Sequence, residues 1–250
     1  TPHHVNHIIN VTTASTSDLT KIFGTLLNIK LQEFAEDEIK QLGDALTTML
    51  INVFHTIKKE KLPTPTCPVY LFNMRDMSKV VQGIMQAHPD YFDTRDAVLR
   101  LFVHEATCVF GDRLNSLDDR EWFREMVDDQ IQSNTDTKWS GIFKNNGIMT
   151  NFGNFFTNAD PAPYEELADV AALKFKLEET LDEYNVDGGV PMDLVLFKDA
   201  VDHVCRIHRV LQQQRTLRAA DDFTRDTPQP KLVQADGAAA ARCRAYLHRK

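Results

Sequence analysis

Arg75 is a cation at a position where helix electrostatics disfavour one. The stretch Tyr70-Leu-Phe-Asn-Met-Arg-Asp-Met-Ser-Lys-Val-Val-Gln-Gly-Ile-Met85 offers Asn73 as a helix cap and sets Met77, Val80, Val81 and Ile84 on one apolar face. Arg75 then falls in the first turn, against the positive end of the helix dipole. A cation held there either answers an anion, which free amides at a helix N-terminus also attract, or pairs with Asp76 or another nearby acid.

Other candidate chemistry is thinner. His104-Glu-Ala-Thr-Cys108 begins like a zinc-protease helix, but Cys108 stands where that motif needs a second histidine, so His104 and Glu105 are expected to make polar contacts with neighbouring helices. His3, His4 and His7 lie in an extended stretch without carboxylate or thiol ligands, and read as solvated side chains rather than a metal site. Nucleotide hydrolysis of the P-loop type needs a glycine-rich loop followed by Lys and Ser or Thr, and the chain contains no such string. Taken by itself, it is expected neither to hydrolyse ATP nor to require a cofactor.

The elements that position Arg75 are predicted to be helices. Residues 8–13 form one short β-branched strand, and everything after it is read as helical. Ser17 caps a helix with Leu19, Ile22, Phe23, Leu26 and Leu27 inward. A second runs from about Glu36 to the prolines at 63 and 65, with Ile39, Leu42, Leu46, Met49, Leu50, Val53 and Ile57 on one stripe. The Arg75 helix is third, residues 94–114 supply a fourth, and a fifth starts near Asp118 with Trp122, Phe123, Met126, Val127 and Ile131 inward. Five amphipathic helices with short connections make a bundle.

Residues 134–160 break the pattern, with Asn and Gly among Trp139, Phe143, Phe152, Phe155 and Phe156. These aromatics either dock onto neighbouring helices or mark a partner site. Pro161 and Pro163 introduce a helix carrying Leu167, Val170, Leu177 and Leu181, closed by Gly188-Gly189. A last helix spans about 196–212 through Phe197, Val201, Val204, Ile207 and Leu211. Beyond it the character changes: residues 206–250 hold ten Lys or Arg against four Asp, and 214–250 reads as a disordered tail.

Composition narrows the functional classes. Of 250 residues 42% are hydrophobic, enough for a real core, and the net charge of −8 argues against a nucleic-acid or anionic-membrane binder. There is no 18-residue apolar run, and the start is neither a signal nor a transit peptide, so a chain inside the cell is expected. Four widely spaced cysteines without a CxxC imply reduced thiols. Thr1 in place of an initiator methionine suggests a piece of a longer protein.

Three strings occur in order: the Arg75 segment, then Leu101-Phe-Val-His-Glu-Ala-Thr-Cys-Val-Phe-Gly-Asp-Arg-Leu114, then Met192-Asp-Leu-Val-Leu-Phe-Lys-Asp-Ala-Val-Asp-His-Val-Cys-Arg-Ile-His-Arg-Val-Leu211. With Leu62-Pro-Thr-Pro-Thr66 ahead of them, they resemble the dynein heavy chain over residues 1–213. The matching region runs from the end of its third AAA+ module, through that module's helical lid, into the first helix of the fourth.

The resemblance implies a mainly α fold. Residues 1–13 would end the large subdomain, 14–133 would be the lid, 134–190 a connector, and 191–213 the next module's opening helix. It places Arg75 at the sensor II position, where an arginine reaches nucleotide phosphates with a bidentate fork. Val195, Leu196 and Phe197 would lie beside the adenine of the next module; otherwise they only begin a buried helix face. His3 and Asn6 fall where related modules carry arginines, one of them a finger toward the preceding module, so that function is expected to be weakened here. After Gln213 the family's glycine-rich loop is missing, and the likeness stops.

For the intact family member the resemblance implies ATP or ADP with Mg. It also implies neighbouring AAA+ modules, intermediate and light chains and microtubules as partners, with no nucleic acid and no membrane. The implied activity is ATP-driven, minus-end-directed movement in the cytoplasm and cytoskeleton, with details pointing to the axoneme of cilia or flagella. A non-enzymatic helical interaction module, or a non-functional truncated remnant, is the alternative.

Overall fold

A computed structural model describes residues 14–135, 137–143, 150–154, 156, 163–187 and 192–212. The expected strand at 8–13, His3, Asn6, Phe155 and the tail from 214 lie outside the described residues.

The fold is mainly α. Its order is α1 (Thr16–Leu31), α2 (Asp37–Lys40), α3 (Leu42–Glu60), α4 (Met74–Ile84), α5 (Arg95–Val109), α6 (Leu117–Thr135), α7 (Trp139–Ile142), β1 (Asn151–Gly153), β2 (Glu165–Leu167), α8 (Val170–Asp187) and α9 (Lys198–Gln212). α1 packs on α3, α3 on α6, and α5 on α4, α7 and β1, so α3 is flanked by two long helices.

Local chemistry sets the helix starts. Ser15, rather than Ser17, caps α1 by accepting from the Asp18 amide while the Asp18 carboxylate accepts from the Ser15 amide. Thr94 caps α5 through the Ala97 amide, and Asp169 caps α8 through those of Ala171 and Ala172.

Several expected boundaries move. The single helix from Glu36 is interrupted at Gln41, giving α2 and α3. The fourth helix ends at Val109 and continues as a 3-10 turn, Gly111–Arg113. Residues 165–167 form a strand antiparallel to β1 (Asn151 opposite Leu167, Gly153 opposite Glu165), so the next helix begins only at Val170. The polar Glu165-Glu166 pair flanked by buried Tyr164 and Leu167 suits a strand edge better than a helix turn.

The inward face of α1 is also narrower than predicted. Leu19, Phe23, Leu27 and Leu31 are buried at i, i+4 spacing, whereas Ile22, Leu26 and Ile29 form an exposed stripe. α1 is covered mainly by α3, which shields one face only.

Two apolar cores result. The larger joins α1 to α7, β1 and Tyr164; the smaller holds Leu167, Leu173, Leu196, Val201 and Cys205, with Leu177 packed against it. Trp139, Phe143 and Phe152 dock, whereas Phe156 is 38% exposed: Phe152 is buried and stacks between Phe92 and Tyr164, and Phe143 packs on Trp139. Among the described residues no helix is long and apolar enough to cross a membrane.

Candidate functional site: the Arg75 helix and its ties to α9

Asn73 caps α4 as its sequence predicts. Its side-chain oxygen accepts from the Arg75 amide at 2.8 Å, and the Asp76 carboxylate accepts from the Asn73 amide at 3.0 Å. The capping box occupies amides that would otherwise attract an anion, so anion binding at this helix end rests on the side chain of Arg75 rather than on free backbone groups.

That side chain is exposed, and its guanidinium makes no hydrogen bond or ion pair with any described residue. Asp76, the acid that offered the bland explanation of Arg75, is committed elsewhere. It is buried and takes both arms of Arg113, at 2.8 and 3.1 Å, with Lys79 at 3.7 Å. Arg113 also donates to the Leu71 carbonyl and lies over the Phe72 ring. Burial would raise the Asp76 carboxyl; the Arg113 hydrogen bonds, the Asn73 amide and the nearby positive charges more than reverse this and hold it below the usual carboxylate value.

Glu105 and His104 differ from expectation. Their contacts were predicted to lie with lid helices, but Glu105 accepts from the Tyr164 hydroxyl at 2.9 Å and from Arg209 Nε at 2.9 Å, and also pairs with Arg209 Nη2. The connector and the last helix therefore supply its partners. The reason is Gly83 on α4: a Cβ there would overlap the Glu105 carboxylate, so its absence lets that carboxylate lie against the α4 backbone and still reach α9.

His104 touches Cys108 (Nε2 to Sγ, 3.6 Å) and the Phe152 ring. Burial, reinforced by the charges of Arg209 and Arg206, lowers the imidazole to about 3, and burial pushes the Cys108 thiol up to about 12. Both are neutral near pH 7, so the pair has no thiolate nucleophile and no imidazolium acid. Among the described residues no group of three or more His, Cys, Asp or Glu is arranged to hold a metal ion.

A second tie joins α9 to the bundle: Arg206 Nε forms an ion pair with the Asp112 carboxylate at 2.8 Å. Sequence reasoning missed Asp112, Arg206 and Arg209 as a set. The signal available was the i, i+3 spacing of the two arginines on one face of α9.

The Val195-Leu196-Phe197 segment precedes α9 and is not helical. Leu196 is buried in the smaller core, while Val195 and Phe197 are 80% and 61% exposed. Only the outer two are free to meet a ligand.

Comparison with known proteins fits this geometry. Residues 23–120, from α1 to the start of α6 and including Arg75 and Glu105, match the family model described as dynein heavy chain, ATPase lid domain. The chain is 40% identical over 210 residues to the dynein-1-beta heavy chain of the flagellar inner arm I1 complex of Chlamydomonas reinhardtii, and 40% identical over 210 residues to dynein axonemal heavy chain 2 of Homo sapiens.

The chain belongs to the dynein heavy chain family.

These matches cover 83% and 84% of the chain but about 5% of each relative's length. Dynein axonemal heavy chain 6 of Homo sapiens is 33% identical over 224 residues, again about 5% of its length. The matching stretch therefore corresponds to a small part of a much longer heavy chain, and it includes the bundle that carries Arg75.

Proposed function

We propose that this segment is the nucleotide-sensing lid of the third AAA+ module of an axonemal dynein heavy chain, joined through a connector (134–190) to the opening helix of the fourth, α9. Arg75 is the sensor, reaching the phosphates of a nucleotide held by the large subdomain of the same module. What supports this reading is the state of that side chain: exposed, unpaired among the described residues, and presented from a helix end whose cap and neighbouring acid are satisfied by other groups.

The residues fit a sensing role and not a complete nucleotide site. Arg75 supplies one bidentate donor to phosphate, and no glycine-rich loop in the chain wraps a triphosphate. ATP with Mg would bring the phosphoryl chemistry in the intact motor; this segment would orient the γ-phosphate side and read its presence. Val195 and Phe197 would flank the adenine of the following module, with Leu196 anchoring the segment that presents them. His3 and Asn6 would leave the preceding boundary without an arginine finger.

The intact heavy chain would convert ATP hydrolysis into minus-end-directed movement on microtubules in the axoneme of cilia or flagella. Intermediate and light chains and the adjacent modules would be its partners. The decisive experiment replaces Arg75 by Ala in the intact heavy chain and measures nucleotide affinity and gating at the third module. Weakened response is expected; an unchanged response removes Arg75 from the mechanism.

A further inference from the structure

α9 shares no apolar core with the main bundle. Its buried apolar residues, Val201 and Cys205, belong to the smaller cluster, and among the described residues its side-chain ties to α5 and the turn after it are ion pairs. Arg209 reaches Glu105 on α5, and Arg206 reaches Asp112 in the turn after α5.

Glu105 and the turn that carries Asp112 are each also tied to α4. Glu105 lies against α4 where Gly83 leaves room for it, and Asp112 is followed at once by Arg113, which grips Asp76 in the first turn of α4. The turn itself has little freedom, because a Cβ on Gly111 would press on the Phe123 ring at 3.2 Å and on Thr107 at 3.1 Å. The two points of attachment on α4, residues 76 and 83, are about 10 Å apart along the helix axis. A helix held at two separated points cannot pivot about either one without breaking the other.

We propose that Asp112 and Arg113 are positioning residues that form a two-ended link: Arg113 fixes the end of α4 that carries Arg75, and Asp112 fixes α9, so a rotation of the sensor helix is passed to the opening helix of the next module. The link rests on the reading of Arg75 given above for its purpose, but its geometry stands independently. The Arg113 fork suits its end of the link because its two hydrogen bonds to Asp76 have direction, so a turn of α4 carries the turn at 111–113 with it. The Asp112–Arg206 pair lies at the rim, its side chains 32% and 34% exposed, and the Glu105–Arg209 pair is buried one turn further along α9.

The test measures the α4–α9 distance in the full 250-residue chain. Spin labels are attached through genetically encoded keto residues at the exposed positions Ser78 and His203, leaving the native cysteines in place. The unsubstituted chain is expected to give one narrow distance peak. Asp112→Asn and Arg206→Gln should each lose it at unchanged helix content, and the exchanged pair Asp112→Arg with Arg206→Asp should restore it, which a purely structural loss would not. A narrow peak in both single variants, or a broad one in the exchanged pair, overturns the link. Arg75→Ala should keep the narrow peak whether or not Arg75 reads phosphate, so failure of the sensor reading appears in nucleotide response and failure of the link appears in this distance.

Discussion

Glu105 and Arg209 lie 104 residues apart in sequence and meet as an ion pair with the side chains 0% and 5% exposed. Burial would lower the Arg209 guanidinium, and the Glu105 charge and hydrogen bonds outweigh this and raise it above its ordinary value. With the Tyr164 hydroxyl on the second oxygen, the carboxylate has donors on both sides. Such a pair gains little net stability over apolar side chains of similar volume, because desolvation offsets most of its attraction. Its effect here is on arrangement: it specifies which face of α9 meets the lid.

Removing one partner should therefore cost more than removing both. Glu105→Leu or Arg209→Met leaves an uncompensated buried charge or its unmet donors, a loss of about 3–5 kcal/mol in urea denaturation. The double variant is expected to recover much of that loss. If its destabilisation equals the sum of the singles, the two residues are not coupled and the pair is not what seats α9.

Gly83→Ala tests the same contact from α4. Alanine is the better helix former by about 1 kcal/mol, so propensity alone predicts a stabilised chain. The added Cβ would overlap the Glu105 carboxylate, which is enclosed and cannot swing to solvent. A lowered melting temperature is expected, with α9 amides exchanging faster than those of α3. A raised melting temperature would show that Glu105 has room to move and that Gly83 is incidental.

How much of this was legible in the sequence follows from how local each feature is. The α4 cap, its apolar face and the place of Arg75 depend on residues within one or two turns, and the sequence predicts them. The break at Gln41 does not announce itself, because it is a brief departure inside a continuous apolar pattern, whereas the end at Val109 is signalled by Gly111 just past the C-cap. Leu167 reads as helical by spacing, yet pairing with Asn151 across an intervening loop draws it into a strand, a long-range preference that local propensity cannot register. The partners of Glu105 were hidden for the same reason. A carboxylate flanked by apolar residues on α5 signals burial, but only the fold shows that a guanidinium from α9 and a phenol from the connector meet it.

A buried and a part-buried histidine should make stability fall in mild acid. Burial, with the charges of Arg209 and Arg206, sets His104 at about 3, and burial sets His208 at about 4, both below the ordinary 6.5. A base depressed in the folded state contributes stability that is fully present above pH 6.5 and is lost as pH falls towards the folded value. Between pH 6.5 and 4 each histidine should add a slope of about 1.4 kcal/mol per pH unit at its steepest. Denaturant midpoints read across that range should show this decline. His104→Gln should flatten it by one proton's worth; an unaltered slope in that variant would mean His104 is protonated in the folded chain.

Arg75 and Asp76 are adjacent, and their substitutions should separate sensing from support. Asp76→Ala removes the capping carboxylate and leaves Arg113 without its acid, so a loss of at least about 1 kcal/mol is expected in thermal or urea melts. Its carboxyl is held below the usual value, so that contribution is present above about pH 4 and disappears as pH falls further. Arg75→Ala removes an exposed side chain with no partner among the described residues and should change stability by no more than about 0.5 kcal/mol. A melt in which Arg75→Ala destabilises the bundle as much as Asp76→Ala would mean that the guanidinium is spent within the fold, leaving none to meet a phosphate.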